Sequence, residues 1–426
     1  MRRALLLLVL AGCFDGTLTD DDAGTPVDAG AGGADGLVEG PARYPADRTL
    51  SPITPSVAAH LRAIGTGGQP DVFAKVGASA TASESFLHCF AGTRVDLAGR
   101  VELQPALDFF RGGDAAGTTP FDRTSLSAVV GMSAGWAISG DPSPLESELA
   151  AIDPRLAVVM YGTNDIQLRN LPAYADNLLT LTDELIAAGV VPALTTIMPR
   201  DDDPEADALV PRYNAVVRAV AQARQVPLID FHRELLPLPD HGLGPDDIHP
   251  SVYREDGLAR PCIFTADGLR YGYNLRNLIT LQTLARMRDA LDGRPAPDPA
   301  QPPASGALDA LPWVGSGNTA ASTSRDLDHY RGSCNAPQDE SGPEVVYRLE
   351  VARTTAIHAG VFDRGSVDVD LHLLRGAATE DACVARAHQE LTATLTAGTW
   401  YLVVDTFVSQ TGGERAGEYL VTVIEE

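Results

Sequence analysis

Four short apolar runs in the middle of the chain contain β-branched residues and end at turn residues: Val72–Val76, Ala157–Tyr161, Val190–Met198 and Val226–Phe231. Between or after them, helical patterns occupy Ala173–Ala188, Ala206–Arg224 and Gly272–Leu291. Strand–helix alternation at this spacing predicts a parallel sheet covered by helices on both faces. The pattern then changes. Val345–Val351, Ala356–Phe362, Val367–Leu374, Thr399–Asp405 and Tyr419–Ile424 are short, partly alternating runs separated by turn residues. They predict a small all-β sandwich.

Two stretches break the pattern. Residues 14 to about 50 are rich in Asp, Ala and Gly and hold few large apolar side chains. Such a segment buries too little surface to offset its ordering entropy, so it is expected to be a disordered tether. Residues 293–306 contain Pro295, Pro297, Pro299, Pro302 and Pro303, which predicts an extended, semi-stiff linker. The expected organisation is a signal (1–12), a tether (13–50), an α/β domain (51–292), a linker (293–306) and a sandwich (307–426).

The 426-residue chain has 57 acidic and 32 basic side chains, a formal net charge of −25. Nucleic-acid binding needs clustered Lys and Arg, so this balance argues against a nucleic-acid partner. The acids Asp15, Asp20, Asp21, Asp22, Asp28, Asp35, Glu39 and Asp47 put part of that charge in the tether. The N-terminus has Arg2 and Arg3, an apolar run Ala4–Leu10, then Ala11-Gly12-Cys13. This is the layout of a secretory signal. Leu10-Ala11-Gly12-Cys13 resembles the bacterial lipobox, which implies lipidation of Cys13, export and a membrane contact through the lipid alone.

In parallel α/β sheets, sites form at the carboxyl ends of strands. Those ends carry Gly77-Ala78-Ser79, Val129-Val130-Gly131, Gly162-Thr163-Asn164-Asp165 and, far downstream, Asp246-Asp247-Ile248-His249-Pro250. The set resembles the SGNH (GDSL-type) hydrolases over nearly the whole middle domain. The resemblance implies a three-layer, flavodoxin-like fold and ester hydrolysis without a metal or organic cofactor. A Ser hydroxyl needs an adjacent base: Ser79 is the expected nucleophile and His249 the base. An Asp three residues before a His can fold back to hold the imidazole, so Asp246 is the expected third member. The resemblance implies an oxyanion hole from the Ser79 N–H, the Gly131 N–H and the Asn164 side-chain amide.

Alternatives exist at these positions. Asn164-Asp165 suits a helix cap, and His232 is a second candidate base. Gly131-Met132-Ser133-Ala134-Gly135 matches a Gly-x-Ser-x-Gly elbow. That elbow needs a long following helix, whereas Ser139-Gly140-Asp141-Pro142 breaks one within two turns. The family's middle Asp is replaced by Ala78, which questions the turn's geometry and leaves a silent ligand- or glycan-binding descendant as the second reading. Tyr271–Asn277 resembles one bacterial branch's last helix and reads as packing. The substrate is a small-molecule or polysaccharide ester, with acetylated carbohydrate favoured for a tethered exported enzyme.

The C-terminal pattern, including Val369-Asp370-Leu371-His372-Leu373 and Thr399-Trp400-Tyr401-Leu402, resembles the pre-peptidase C-terminal domain, a non-catalytic companion of secreted enzymes. Trp400 reads as core rather than as a sugar platform, and Asp368 and Asp370 as a solvated strand edge rather than a calcium site. Cys89 and Cys262 fall in the middle domain, Cys334 and Cys383 in the sandwich. In an exported chain one disulfide in each domain is expected, and neither pair has zinc-site spacing.

Overall fold

The computed structural model describes residues 41–302, 307–308, 310–331, 333–335 and 338–426. The signal, Cys13, most of the tether and the end of the linker lie outside the described residues.

The α/β part contains strands β1 (Gln69–Gly77), β2 (Pro154–Met160), β3 (Val191–Thr195) and β4 (Leu228–Ile229), plus a small hairpin, β5 (Arg254–Glu255) and β6 (Leu258–Ala259). Its helices are α1 (Pro55–Ile64), α2 (Ser79–Ala82), α3 (Gln104–Arg111), α4 (Ala134–Ala137), α5 (Pro144–Ile152), α6 (Leu171–Ala187), α7 (Pro204–Asp207), α8 (Val210–Ala223), α9 (Phe231–Leu235) and α10 (Gly272–Leu291). The four main strands are parallel in the order β1-β2-β3-β4. Helices α1, α3 and α10 pack together as one layer, and α4, α6 and α8 as the other. Near-continuous burial along β1 and β2 follows from cover on both faces.

Two edges complete this sheet. Beside β1, Gly77 forms a parallel bridge with Ala128, and beside β4, Leu50 forms an antiparallel bridge with Ile229. The second bridge corrects the tether. Residues 42–50 are part of the folded body: Ala42 and Tyr44 are buried, and the Tyr44 hydroxyl donates to the Val226 carbonyl at 2.9 Å. The start of the linker is held as well. Asp298 accepts hydrogen bonds from the Ile53 N–H and the Arg286 guanidinium.

The C-terminal part contains β7 (Ala307–Leu308), β8 (Trp313–Asn318), β9 (Val345–Val351), β10 (Thr355–Asp363), β11 (Val369–Arg375), β12 (Cys383–Ala387), β13 (Glu390–Leu395), β14 (Gly398–Thr406) and β15 (Glu418–Glu425). They form two sheets, β13-β10-β15-β8 and β12-β11-β14-β9-β7. Trp400 is 5% exposed and belongs to the core between them. Asp370 departs from the expected solvated edge. It is 4% exposed, and burial pushes its carboxyl up to about 6.

The first of these sheets lies on α8, through β8 and β15. Val314, Phe362, Leu420 and Ile424 join the apolar core of the α/β part. Arg224 at the end of α8 pairs with Asp183 on α6 and with Glu418 on β15. Helix α8 is therefore buried on two sides, and most of its residues are buried.

Candidate active site

Strand β1 delivers its last residues into a tight turn. Gly77 is needed there: a Cβ on it would lie 2.5 Å from Thr81 Oγ1 and 2.6 Å from the Met160 carbonyl. Ser79 follows as the first residue of α2, half-buried. The Asp246–His249 turn comes to it from the other end of the domain. The Gly244 N–H donates to the His249 carbonyl at 2.7 Å, and Leu243 bridges Pro250.

The side chains form one hydrogen-bonded series. His249 Nε2 is 2.7 Å from Ser79 Oγ, and His249 Nδ1 is 2.7 Å from Asp246 Oδ2. Asp246 Oδ1 accepts from the His249 N–H at 3.0 Å. Burial alone would raise the Asp246 carboxyl. The hydrogen bonds from His249 and Ile248 outweigh it and hold the group below its usual range. With Nδ1–H given to Asp246, Nε2 is left to accept the Ser79 proton. Such a series can turn an inert hydroxyl into a nucleophile.

The residues expected to donate to an oxyanion sit around one loop beside Ser79. The Gly77 N–H donates to the Ser127 carbonyl, and the Val129 N–H to the Gly77 carbonyl. Gly131 follows two residues later at φ +80°, a conformation that costs glycine little. Asn164 Nδ2 donates to the Met132 carbonyl at 2.9 Å, which fixes its amide against that loop and leaves its second N–H free of this bond.

Neither alternative joins this series. Ser133 caps α4, which is only four residues long. The His232 N–H donates to Thr196 Oγ1, and burial lowers its imidazole's pKa. Among the described residues, no hydrogen bond links Ser133 or His232 to Ser79, Asp246 or His249.

The roles of three supporting residues do not follow from the sequence alone. Asp165 is 2% exposed, and its Oδ1 accepts the Ala134 N–H at 3.0 Å, holding the loop that carries Gly131. Burial pushes its carboxyl up to about 6 against those hydrogen bonds. Arg200, in the loop after β3, donates to the Thr163 carbonyl and to Asp202, whose N–H donates to the Asp247 carbonyl. It thus braces the Asn164 loop against the His249 turn. Arg276 reaches from α10 under α2, donating to the Ala80 carbonyl at 2.7 Å and to Thr81 Oγ1 at 2.9 Å, with its guanidinium 3.8 Å over the Phe86 ring. These contacts support the Ser79 turn where Ala78 offers no carboxylate. The stretch Tyr271–Asn277 therefore does more than start a helix. Asn277 adds bonds to the Leu87 N–H and the Pro261 carbonyl.

Cys89 and Cys262 form a disulfide. It ties the segment after Ser79 to the segment after His249, as the residue positions led one to expect. Cys334 and Cys383 form the second.

Residues 118–253 match the model of the GDSL-like Lipase/Acylhydrolase family. The match spans Gly131, Asn164, Asp246 and His249 and begins after Ser79. No curated protein matches the chain in sequence. Among solved structures, the chain is similar to a variant of an acetyl xylan esterase from Geobacillus stearothermophilus, at 14% identity and TM-score 0.34, covering 51% of this chain and 95% of that one. It is also similar to a GDSL-like lipase from Bacteroides thetaiotaomicron, at 16% identity and TM-score 0.30, covering 50% and 88%. A pre-peptidase C-terminal domain of a collagenase from Bacillus anthracis is similar at 17% identity and TM-score 0.18, covering 26% and 89%.

Proposed function

With a GDSL-like lipase/acylhydrolase domain at residues 118–253, the chain is a carboxylic ester hydrolase; we propose that it is an exported, lipid-anchored serine esterase acting through Ser79, His249 and Asp246. The supporting observation is the unbroken series Ser79–His249–Asp246, with both links at 2.7 Å. Ser79 Oγ attacks the ester carbonyl as His249 Nε2 takes its proton. Asp246 holds the imidazole tautomer and balances its positive charge. The Ser79 and Gly131 N–H groups and the Asn164 amide stabilise the oxyanion. The proton then passes to the leaving alcohol, and an acyl group remains on Ser79. Water, deprotonated by His249, attacks that acyl group and releases the acid. Acetyl esters of carbohydrates are the favoured substrates, since an anchored enzyme facing outward meets glycans.

The same series weighs against the silent binding module, because a binder has no need of an imidazole aligned on a serine. A fluorophosphonate probe separates the two. Labelling of wild type that is lost in Ser79→Ala supports the esterase. Folded wild type that takes no label contradicts it. Metabolic lipid labelling with and without Cys13→Ser tests the anchor.

A further inference from the structure

The sandwich holds a second cluster of reactive side chains, unrelated to the ester site. Glu340, His372 and Asp405 are each 0% exposed. One donor atom from each, an imidazole nitrogen and two carboxylate oxygens, lies within 4.8 Å of the other two. His372 Nε2 meets Glu340 Oε2, and the Tyr330 hydroxyl meets Asp405 Oδ2. The Tyr330 ring stacks on the imidazole at 3.5 Å.

The cluster is not satisfied by the protein. Among the described residues, eight buried side-chain polar atoms lack a hydrogen-bond partner, and four of them are here: Glu344 Oε2, His372 Nδ1, and Glu340 Oε1 and Arg386 Nη1, which face each other as an ion pair at 3.7 Å. Buried polar groups are nearly always paired, and a concentration of unpaired ones marks a place for an ion or ordered water. Charge favours the ion. The acids Glu340, Glu344, Asp370 and Asp405 are all buried. The cationic groups facing them are Arg386, 3.7 Å from Glu340, with His372 and the exposed His388 when protonated. Uncompensated buried carboxylates are costly, and a divalent cation removes that cost.

The geometry points to a structural site for a divalent cation of the zinc class, ligated by Glu340, His372 and Asp405. An ion about 2.0–2.2 Å from each donor reaches all three with small side-chain movements. The imidazole favours zinc-class ions over calcium, which takes oxygen donors. The Tyr330 hydroxyl on Asp405 supplies the outer contact that orients a ligating carboxylate. Cys334 and Cys383 also lie near His372, but they are bonded to each other and offer no thiolate. The site closes the strands β11 and β14 onto the loop before β9, so its ion would stabilise the sandwich without entering ester hydrolysis.

The test uses the full chain under non-reducing conditions. After chelator dialysis, zinc is added and the bound metal is counted by mass spectrometry. One zinc per chain is expected, with a melting temperature raised by on the order of 10 °C at saturation. Asp405→Asn and His372→Gln should each lower zinc affinity at least tenfold, whereas Asp368→Asn, in the neighbouring cluster with Asp370 and His388, should not. Cobalt(II) titration of wild type covers the case in which a variant fails to fold. A visible ligand-field band without a thiolate charge-transfer band is expected. No stoichiometric zinc in wild type, zinc retained by both variants, or no cobalt band would each overturn the site.

Discussion

Replacing Arg276 by Met is expected to slow catalysis without a large loss of stability, because two opposed effects meet at this buried side chain. Arg276 is 2% exposed and has no carboxylate beside it, only the Tyr273 hydroxyl's influence. Burial pushes its guanidinium down to about 9, which corresponds to about 5 kcal/mol spent on holding the charge in the core. Met removes that cost and keeps contact with Phe86. It also leaves the Ala80 carbonyl and Thr81 Oγ1 without their donor, at about 1–3 kcal/mol each. The net change is expected to stay within about 3 kcal/mol in urea unfolding. The Ser79 turn loses its brace, and a displacement of under an ångström at a nucleophile is enough for a 10- to 100-fold fall in kcat. Steady-state hydrolysis of p-nitrophenyl acetate, with KM measured alongside, checks this. Full kcat in the folded variant, or a stability loss well beyond about 3 kcal/mol, would contradict this role for Arg276.

Asn164→Ala should lower kcat on the order of 100-fold with little change in KM, as expected for an oxyanion donor; an equal rise in KM would contradict that role. Asp165 gives a pH signature. Its raised pKa means the folded state holds the proton more tightly, so its stabilisation is complete below the unfolded pKa and is lost as pH rises through about 6. Between pH 8 and pH 5, urea unfolding should show wild type gaining about 1.4 kcal/mol more than Asp165→Asn. A Cys89→Ser, Cys262→Ser double variant should lose up to about 5 kcal/mol, the loop-entropy bound for a separation of 173 residues, and calorimetry reads this directly.

The parts legible in sequence are those whose environment is uniform. Strand β9 was expected at the residues where it forms, and α10 likewise. Strands β1 and β2 were found because both faces are covered, giving unbroken apolar runs. The sandwich was harder. Strand β8 escaped because Gly315 and Gly317 interrupt its apolar positions, and β12 and β13 because they are partly exposed and polar. Residues 42–50 escaped because Ala42, Tyr44 and Leu50 are isolated apolar positions, each finding its partner far along the chain.

The site divides in the same way. Ser79, Asp246 and His249 could be named because their blocks, in order at strand ends, resemble a known hydrolase family. Arg276 and Asn277 could not. They are polar residues in a helix buried on nearly all sides, where apolar and polar positions do not segregate. Their role depends on Ala80, Thr81 and Leu87, nearly two hundred residues earlier. Asp165 was readable as a cap, and only the fold shows that the N–H it holds belongs to the Gly131 loop.

In the proposed mechanism Ser79 carries the acyl group. Wild-type protein mixed briefly with p-nitrophenyl acetate at low pH, quenched in acid, digested and analysed by mass spectrometry tests it most directly. An acetyl group is expected on Ser79, disappearing with time and absent in Ser79→Ala. An acetyl group on Ser133, or turnover that persists in Ser79→Ala, would contradict it.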